Sequence, residues 1–474
     1  MSQDIKKKTK IGMLWNTIEK ISVQGISFVL GIILARLLTP DDYGTIGMLT
    51  IFLSLANVFV DSGFSRALIQ KQDRTEYDFS TVLIFNTVVS FLLYGLLFFA
   101  SPFIAAFYKT PSLISLQRVL FLVIIFNSLT VVQNSKLQIA VDFKSIAIIN
   151  AITTIVSGVI AIIFAYKGFG AWALVIQTLS KSIVSLVCFW GIGHWFPKTG
   201  FSKDSFKNLF GFGSKLLISG LMAVTENSVN DLIIGKLYKP ESLGFYTRAK
   251  QFPELTAGTL NSVMTNSTFP MMAALQNDRD ELIKTLKKLI KMSSLIVFPA
   301  MVGISVLSKQ IILVLLGEKW IASSQLLFWL SLSYLFVPLS TLNLNLLNAI
   351  GRSDLFLKID IAKIPIVWSV VAVTFPISLK AVVIGKACVA FVYFYMNAFM
   401  LGRLYSFGAI KQLITCWKEI VSTVLMAIIV FIISTILPIN VLTLVLEIFI
   451  GVIVYSLSLL IFQEQELKFF FNKI

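Results

Sequence analysis

The sequence is poor in charge, histidine and cysteine. Asp, Glu, Lys and Arg together make up 14% of its 474 residues, against roughly 25% in an average soluble domain. That excludes a soluble enzyme. One histidine (His194) and three cysteines without CxxC spacing (Cys188, Cys388, Cys416) argue against a metal site or a disulfide framework. The cysteines read as small buried apolar residues. No GxxxxGK(S/T) phosphate loop is present, so this chain is not expected to hydrolyse ATP. Gly168-x-Gly170-x-x-Ala173 matches a dinucleotide fingerprint in outline, but it opens an apolar run and not a βαβ unit. No cofactor or metal is therefore expected. No connection between apolar stretches reaches the ~50 residues of an independent domain. The net charge of +16 thus has no basic domain on which to bind nucleic acid.

What is abundant is apolar. Hydrophobic residues make up 57% and aromatics 13%, with a mean hydropathy of +0.85. A spanning helix takes about 20 residues, so the predicted fold is an all-α polytopic membrane protein. Spans are expected at 12–36, 43–65, 80–101, 112–134, 146–166, 169–194, 208–235, 248–270, 292–315, 322–349, 356–378, 379–402, 416–437 and 440–462, fourteen in all. The Lys-rich N-terminus runs into a long polar stretch with no cleavage signature, so it is expected to stay in the cytoplasm uncleaved. An even count puts both termini there. With that orientation the inside segments hold 24 Lys and Arg and the outside segments 8, the bias of the positive-inside rule. The charged stretch 275–291 reads as a cytoplasmic connector helix, with contact to anionic head groups as the alternative.

An internal repeat is visible. Ile33-Leu34-Ala35-Arg36-Leu37-Leu38-Thr39-Pro40-Asp41-Asp42-Tyr43-Gly44 lies 200 residues before Ile233-Ile234-Gly235-Lys236-Leu237-Tyr238-Lys239-Pro240-Glu241-Ser242-Leu243-Gly244. Each copy joins the first and second spans of a six-span set. Pro and Gly favour a tight turn, and an acidic residue after Pro suits the start of a helix. Two parallel six-span lobes are predicted, 1–200 and 201–412, followed by two accessory spans in 413–474. Parallel repeats place a substrate site between lobes.

The motifs keep an order that resembles a known family. Leu38-Thr39-Pro40-Asp41-Asp42-Tyr43-Gly44 is followed by Asp61-Ser62-Gly63-Phe64-Ser65-Arg66-Ala67-Leu68-Ile69-Gln70, then Gly168-Phe169-Gly170-Ala171-Trp172. The second half has Phe269-Pro270-Met271-Met272, Leu316-Gly317-Glu318-Lys319-Trp320 and Asn348-Ala349-Ile350-Gly351-Arg352. Over nearly its whole length the chain resembles the Wzx-type polysaccharide flippases. Within these it is most like the lipopolysaccharide, colanic acid and teichuronic acid export branch of the multidrug/oligosaccharidyl-lipid/polysaccharide superfamily. The resemblance implies two six-helix bundles in a MATE-like V shape with two accessory helices. It also implies translocation of an undecaprenyl-diphosphate-linked oligosaccharide across the bacterial plasma membrane for O-antigen, capsule or exopolysaccharide synthesis. Membrane lipids are further partners, and association with a polymerase or export machinery is a family-level expectation. The alternatives are a multidrug cation exporter or lipid II flippase of the same superfamily, and more distantly a membrane polymerase. The short outside connections and the inside position of His194 disfavour the polymerase.

The residues themselves suggest the site. Charge at mid-bilayer costs about 2.5–3.5 kcal/mol on insertion scales, so intramembrane charge should face water or a partner. The first span of each lobe is polar: Asn16, Glu19, Lys20 and Gln24 in one, Lys215, Glu226, Asn227, Asn230 and Asp231 in the other. Lys20, Lys215, Arg248 and Lys250 are the expected diphosphate-pairing cations. Arg118, Lys181, Lys363 and Lys386 are further candidates, with snorkelling to a head group as the plain alternative for all eight. Asn227, Asn230 and Gln251 suit sugar hydroxyls. Glu19, Asp61, Glu226 and Asp231 are candidates for gating or coupling, since a buried carboxylate can take up H+ or Na+. Lys20–Glu19 and Lys215–Glu226 could instead be internal pairs.

Overall fold

The structure, a computed structural model, describes residues 2–61 and 63–462. It describes their side chains except at 2–14, 16, 17, 212, 226, 227, 259, 260, 262–267, 270 and 353. Every regular element among the described residues is helical. The chain divides into two compact units, Met1–Gly244 and Phe245–Ile474.

The first unit holds α1 (Ser2–Leu37), α2 (Pro40–Asp61), α3 (Phe64–Gln70), α4 (Glu76–Tyr108), α5 (Leu113–Leu120), α6 (Leu122–Ile139), α7 (Phe143–Tyr166), α8 (Ala171–Gly193) and α9 (Lys203–Leu237), together with the start of α10 (Pro240–Ala274). Helix starts follow their cap residues. Asp142 accepts from the Ser145 amide and Ser202 from the Ser205 amide, each satisfying a first-turn N–H that has no helical partner. At the first repeat the Thr39 hydroxyl accepts from the Asp42 amide at 3.3 Å, and the residue that answers it is not Asp41 but Asp42. Its carboxylate accepts from the Thr39 amide at 2.9 Å and the Thr39 hydroxyl at 2.7 Å.

Helix α1 packs on α7, α7 on α8, and α9 on α2, α3 and α4. The compact unit therefore ends at Gly244, beyond the repeat boundary read at 200. The two Pro-to-Gly turns meet within this unit. A Cβ added to Gly44 would overlap the Pro240 carbonyl, and one added to Gly244 would overlap the Pro40 carbonyl. This reciprocity is what two equivalent copies of one motif produce when they pack symmetrically, and only glycine permits the approach.

The second unit continues α10 and adds α11 (Arg279–Val306), α12 (Ser308–Ile311), a π-turn and a 3₁₀ turn over Ile312–Trp320, then α13 (Ala322–Tyr334), α14 (Val337–Ala349), α15 (Ser353–Thr374), α16 (Leu379–Tyr405), α17 (Ala409–Thr415), α18 (Trp417–Ile436) and α19 (Val441–Ile461). The charged stretch 275–291 is not a separate connector. Asp278 caps the Glu281 amide at 3.0 Å, and the helix runs on without a break as the first turns of α11. The core of this unit stacks Leu282, Leu286 and Ile290 of α11 on Leu342 and Leu346 of α14 and Phe394 and Ala398 of α16. The four-residue spacing puts each set on one face.

Between helices in lipid the driving force is packing and interhelical hydrogen bonding, because acyl chains are as apolar as leucine. Asn343 and Gln412 supply such a bond twice, Asn343 Nδ2 to Gln412 Oε1 at 3.1 Å and Gln412 Nε2 to Asn343 Oδ1 at 2.8 Å. Both residues are fully buried. Asn343→Leu should cost about 1–3 kcal/mol by leaving the buried Gln412 Oε1 without its donor. The check is the unfolding midpoint of the purified protein, with Asn343→Leu/Gln412→Leu recovering part of the loss. A single variant as stable as wild type would show that the pair is not structural.

Eleven helices among the described residues are long and apolar enough to cross a membrane. They become twelve if the pair Lys203–Gly211 and Gly213–Thr225, bent by 48°, is one span. The predicted count of fourteen is not confirmed. The two spans expected at 248–270 and 356–378 fall on α10 and α15, which are helices of 35 and 22 residues. Both are more polar than a lipid-facing span. Helix α15 carries Asp354, Lys358, Asp360 and Lys363, and α10 carries Arg248, Lys250 and Glu254 among amides and hydroxyls.

Candidate functional site

In the first unit the intramembrane polar residues are drawn into interhelical bonds. Glu19 on α1 accepts from Asn150 Nδ2 on α7 at 2.6 Å, while Lys20, next along, is exposed. The carboxylate's hydrogen bond therefore runs to α7, and the Lys20 ammonium remains accessible. Helix α1 is further seated by Trp15 beneath the Lys144 ammonium and by Leu30 against Gly158. Asp61, half-buried at the end of α2, takes the Ser65 amide and has Arg66 as its cationic neighbour. On α9, Lys215 is exposed, and Asn230 and Asp231 are half-buried with Asp231 electrostatically coupled to Tyr108. The side chains of Asn16, Glu226 and Asn227 lie outside the described residues.

A polar ladder crosses this unit that no motif announced. Asn127 on α6 donates to Asn57 Oδ1 on α2 at 3.1 Å, and Ser182 on α8 donates to Asn127 Oδ1 at 2.8 Å. The available signal was Asn57 as the one Asn of α2, which in lipid needs a partner; Asn127 was one of several polar residues on α6. Arg118 is held locally, 4.3 Å above the Phe98 ring and donating to Ser101 at 3.1 Å. These contacts account for it as a packing cation.

In the second unit, one turn of α10 brings Arg248 to Gln251 at 2.6 Å and Lys250 to Glu254 at 3.4 Å. From Glu254 the chain of contacts continues to other helices. Tyr334 at the end of α13 donates to Glu254 Oε1 at 2.9 Å. Lys386 on α16 lies 5.6 Å from the Tyr334 ring centroid and 3.4 Å from the Tyr246 hydroxyl. Lys250, Glu254, Tyr334, Lys386 and Tyr246 thus form one cluster across α10, α13 and α16. Two ammonium groups, one carboxylate and two phenols lie together among apolar helices. Cations of this kind pair with phosphate, and phenol rings with a polar edge suit sugar faces. Glu254, Tyr334 and Tyr246 were not singled out in the sequence. The four-residue spacing of Lys250 and Glu254 was the legible part of the signal. Lys363 pairs with Asp360 at 2.7 Å and faces Tyr393 instead. Among the described residues no group of three or more His, Cys, Asp or Glu could hold a metal ion.

Comparison with known proteins agrees with this architecture. The chain is 27% identical over 355 residues to the teichuronic acid biosynthesis protein TuaB of Bacillus subtilis, covering 74% of this chain and 73% of that one. It is 24% identical over 329 residues to the succinoglycan biosynthesis transport protein ExoT of Rhizobium meliloti, covering 69% and 66%. In fold it is similar to a solved structure described as the lipid II flippase MurJ, inward closed conformation. The TM-score is 0.76 at 16% identity, over 95% of this chain and 98% of that one. The family model described as polysaccharide biosynthesis protein matches residues 33–325, more than half of the chain. The multi-pass helical membrane protein described here therefore belongs to the polysaccharide biosynthesis protein family.

Proposed function

We propose that the protein is a flippase and not an enzyme. It moves an undecaprenyl-diphosphate-linked oligosaccharide across the bacterial plasma membrane for surface polysaccharide synthesis. Two six-helix lobes, 1–200 and 201–412, alternate access around a cationic polar cavity, and 413–474 is accessory. Both termini are cytoplasmic. The observation that carries this reading is the cluster of Lys250, Glu254, Tyr334 and Lys386 in a chain of this family. A lipid diphosphate sugar offers a compact double negative charge next to hydroxyls and ring faces, and these groups complement both. A drug-cation exporter would need the opposite sign of charge. The MurJ-like fold keeps a lipid II flippase as the second reading.

With no phosphate loop in the chain, the drive is an ion gradient, the membrane potential or the substrate gradient. H+ or Na+ taken up by Glu19, Asp61, Glu226 or Asp231 is the proposed coupling. Lys20 and Lys215 form the cationic wall on the first span of each lobe, with Asn227, Asn230, Arg248 and Gln251 as further contacts. Lys20→Ala or Lys215→Ala is expected to lower export severalfold at unchanged protein level, about 1 kcal/mol for an exposed charge contact. Full export by a well-expressed double variant would remove both from the site.

The decisive experiment deletes the gene in its host and assays surface glycan together with lipid-linked oligosaccharide in each leaflet. Surface glycan should disappear while complete repeat units accumulate in the inner leaflet. Repeat units accumulating in the outer leaflet would move the protein to a step after flipping. Unchanged glycan, with lipid II accumulating in the inner leaflet, would favour the second reading.

A further inference from the structure

A second site lies at the far end of α16, about 25 Å along the helix from Lys386 at 1.5 Å per residue. Helices α16 and α18 are both long and apolar enough to cross the membrane. The seven-residue α17 between them therefore sits at the bilayer boundary. It buries Ala409 and Gln412 and exposes Ile410 (67%) and Ile414 (62%), with Trp417 following at 47%. That face is costly in water and favourable in the acyl–headgroup boundary, where an amphipathic helix lies in the membrane plane. Its orientation is fixed, because Gln412 is bonded on the opposite side to Asn343 and to the Phe407 carbonyl.

Helix α17 and the end of α16 frame a cleft of about 400 Å³. One wall is a stripe at four-residue spacing down α16. Tyr395 packs against Phe399 with centroids 6.5 Å apart, and the Arg403 guanidinium lies 4.9 Å over the Phe399 ring. Lys411 and Ile410 of α17 line the other side, and Ser406, at φ 56°, turns the chain between them. The floor is bare backbone. A Cβ on Gly402 or Gly408 would come within 3.2 or 3.3 Å of the other's Cα. None of the residues lining the cleft is Asp or Glu. Two cations sit where the spans end, and an aromatic track runs back from them along a membrane helix.

We propose that this cleft binds an anionic phospholipid. Its phosphate sits at Arg403 and Lys411 and an acyl chain lies along Phe399 and Tyr395. The charge complementarity selects an anion. The continuity of the track with a membrane-spanning helix makes that anion a bilayer lipid and not a soluble one. The site is independent of the transported substrate.

The test uses the full-length protein in detergent, with native mass spectrometry after equal additions of phosphatidylglycerol and phosphatidylcholine. Wild type should retain phosphatidylglycerol roughly ten- to thirtyfold better, the contribution of two cations near a lipid surface. Arg403→Ala/Lys411→Ala should bring the two lipids to parity, whereas Arg403→Lys/Lys411→Arg should keep the preference. Because the alanine variant could lose its fold, Lys411→Gln alone, on an exposed position, should give an intermediate preference at an unchanged melting midpoint. Equal retention of both lipids by wild type, or an undiminished preference in the alanine variant, would overturn the proposal. So would displacement of the lipid by millimolar inorganic phosphate, which would mark a site for a free anion.

Discussion

Replacing Gly44 with valine should lower export at least about fivefold while the protein still inserts in the membrane. The Cβ it adds would overlap the Pro240 carbonyl, and the symmetric change at Gly244 would overlap that of Pro40. Backbone atoms in two helix starts cannot rotate aside as a side chain can, so the two turns must separate. Overpacking of this kind costs about 1–3 kcal/mol or more, and by the same conversion shifts an equilibrium about five- to 150-fold. If alternating access requires the paired turns to close, that shift removes one of the two states. Surface glycan should fall at least about fivefold on this estimate. Gly44→Ala adds the same Cβ and should be nearly as severe, whereas Gly25→Ala, which has nothing within 4 Å of its new Cβ, should be neutral. Surface glycan normalised to protein level is the readout. Wild-type export by Gly44→Val would show that the tight turn contact is dispensable.

The second large effect is expected at Lys386 and Glu254. Lys386 is framed by two phenols, and Glu254 joins Lys250 to Tyr334. Losing a charge-assisted contact to a desolvated diphosphate is worth about 1.5–3 kcal/mol, so Lys386→Ala should lower transport roughly ten- to 150-fold. Lys386→Arg should keep most of the activity, since the charge remains. Glu254→Gln should lose less, because its amide can still accept from Tyr334. Transport of a fluorescent lipid diphosphate sugar in proteoliposomes separates these outcomes from effects on expression. If Lys386→Ala transports normally while Lys20→Ala and Lys215→Ala do not, the substrate-contacting groups lie on the first spans and the cluster on α10, α13 and α16 is structural. The Lys250/Glu254 double-mutant cycle gives a further check. A coupling under about 0.5 kcal/mol would mark an ordinary surface pair.

The helical class was legible because 57% hydrophobic composition in runs of about 20 residues leaves few other folds. The repeat was legible because Pro and Gly recur at one spacing, but the close helix approach that requires the glycines shows only in the structure. The count of spans was less so. Helices α10 and α15 are long, but they carry charges that a hydropathy criterion rejects and that an interior position tolerates. At the candidate site, the four-residue spacing of Lys250 and Glu254 and the three-residue spacing of Arg248 and Gln251 could be read directly, and both contacts are present. The pairing proposed for Glu19 with Lys20 could not be judged that way. Neighbours in sequence point about 100° apart on a helix, and the carboxylate reaches across to Asn150.

The sequence by itself determined that this is a membrane protein built of helices, that it contains a duplicated Pro-to-Gly motif, and that its spans carry charges of both signs. Only the tertiary structure decided which polar groups meet. Glu19 finds Asn150 131 residues away, Tyr334 finds Glu254 80 residues away, and Lys386 finds Tyr246 140 residues away. The reason lies in the solvent. In water an amphipathic helix announces its inward face by the contrast between polar and apolar sides. In a bilayer both faces are apolar, so the rotation of each helix, and with it the partner of each buried charge, is set by packing against neighbours distant in sequence.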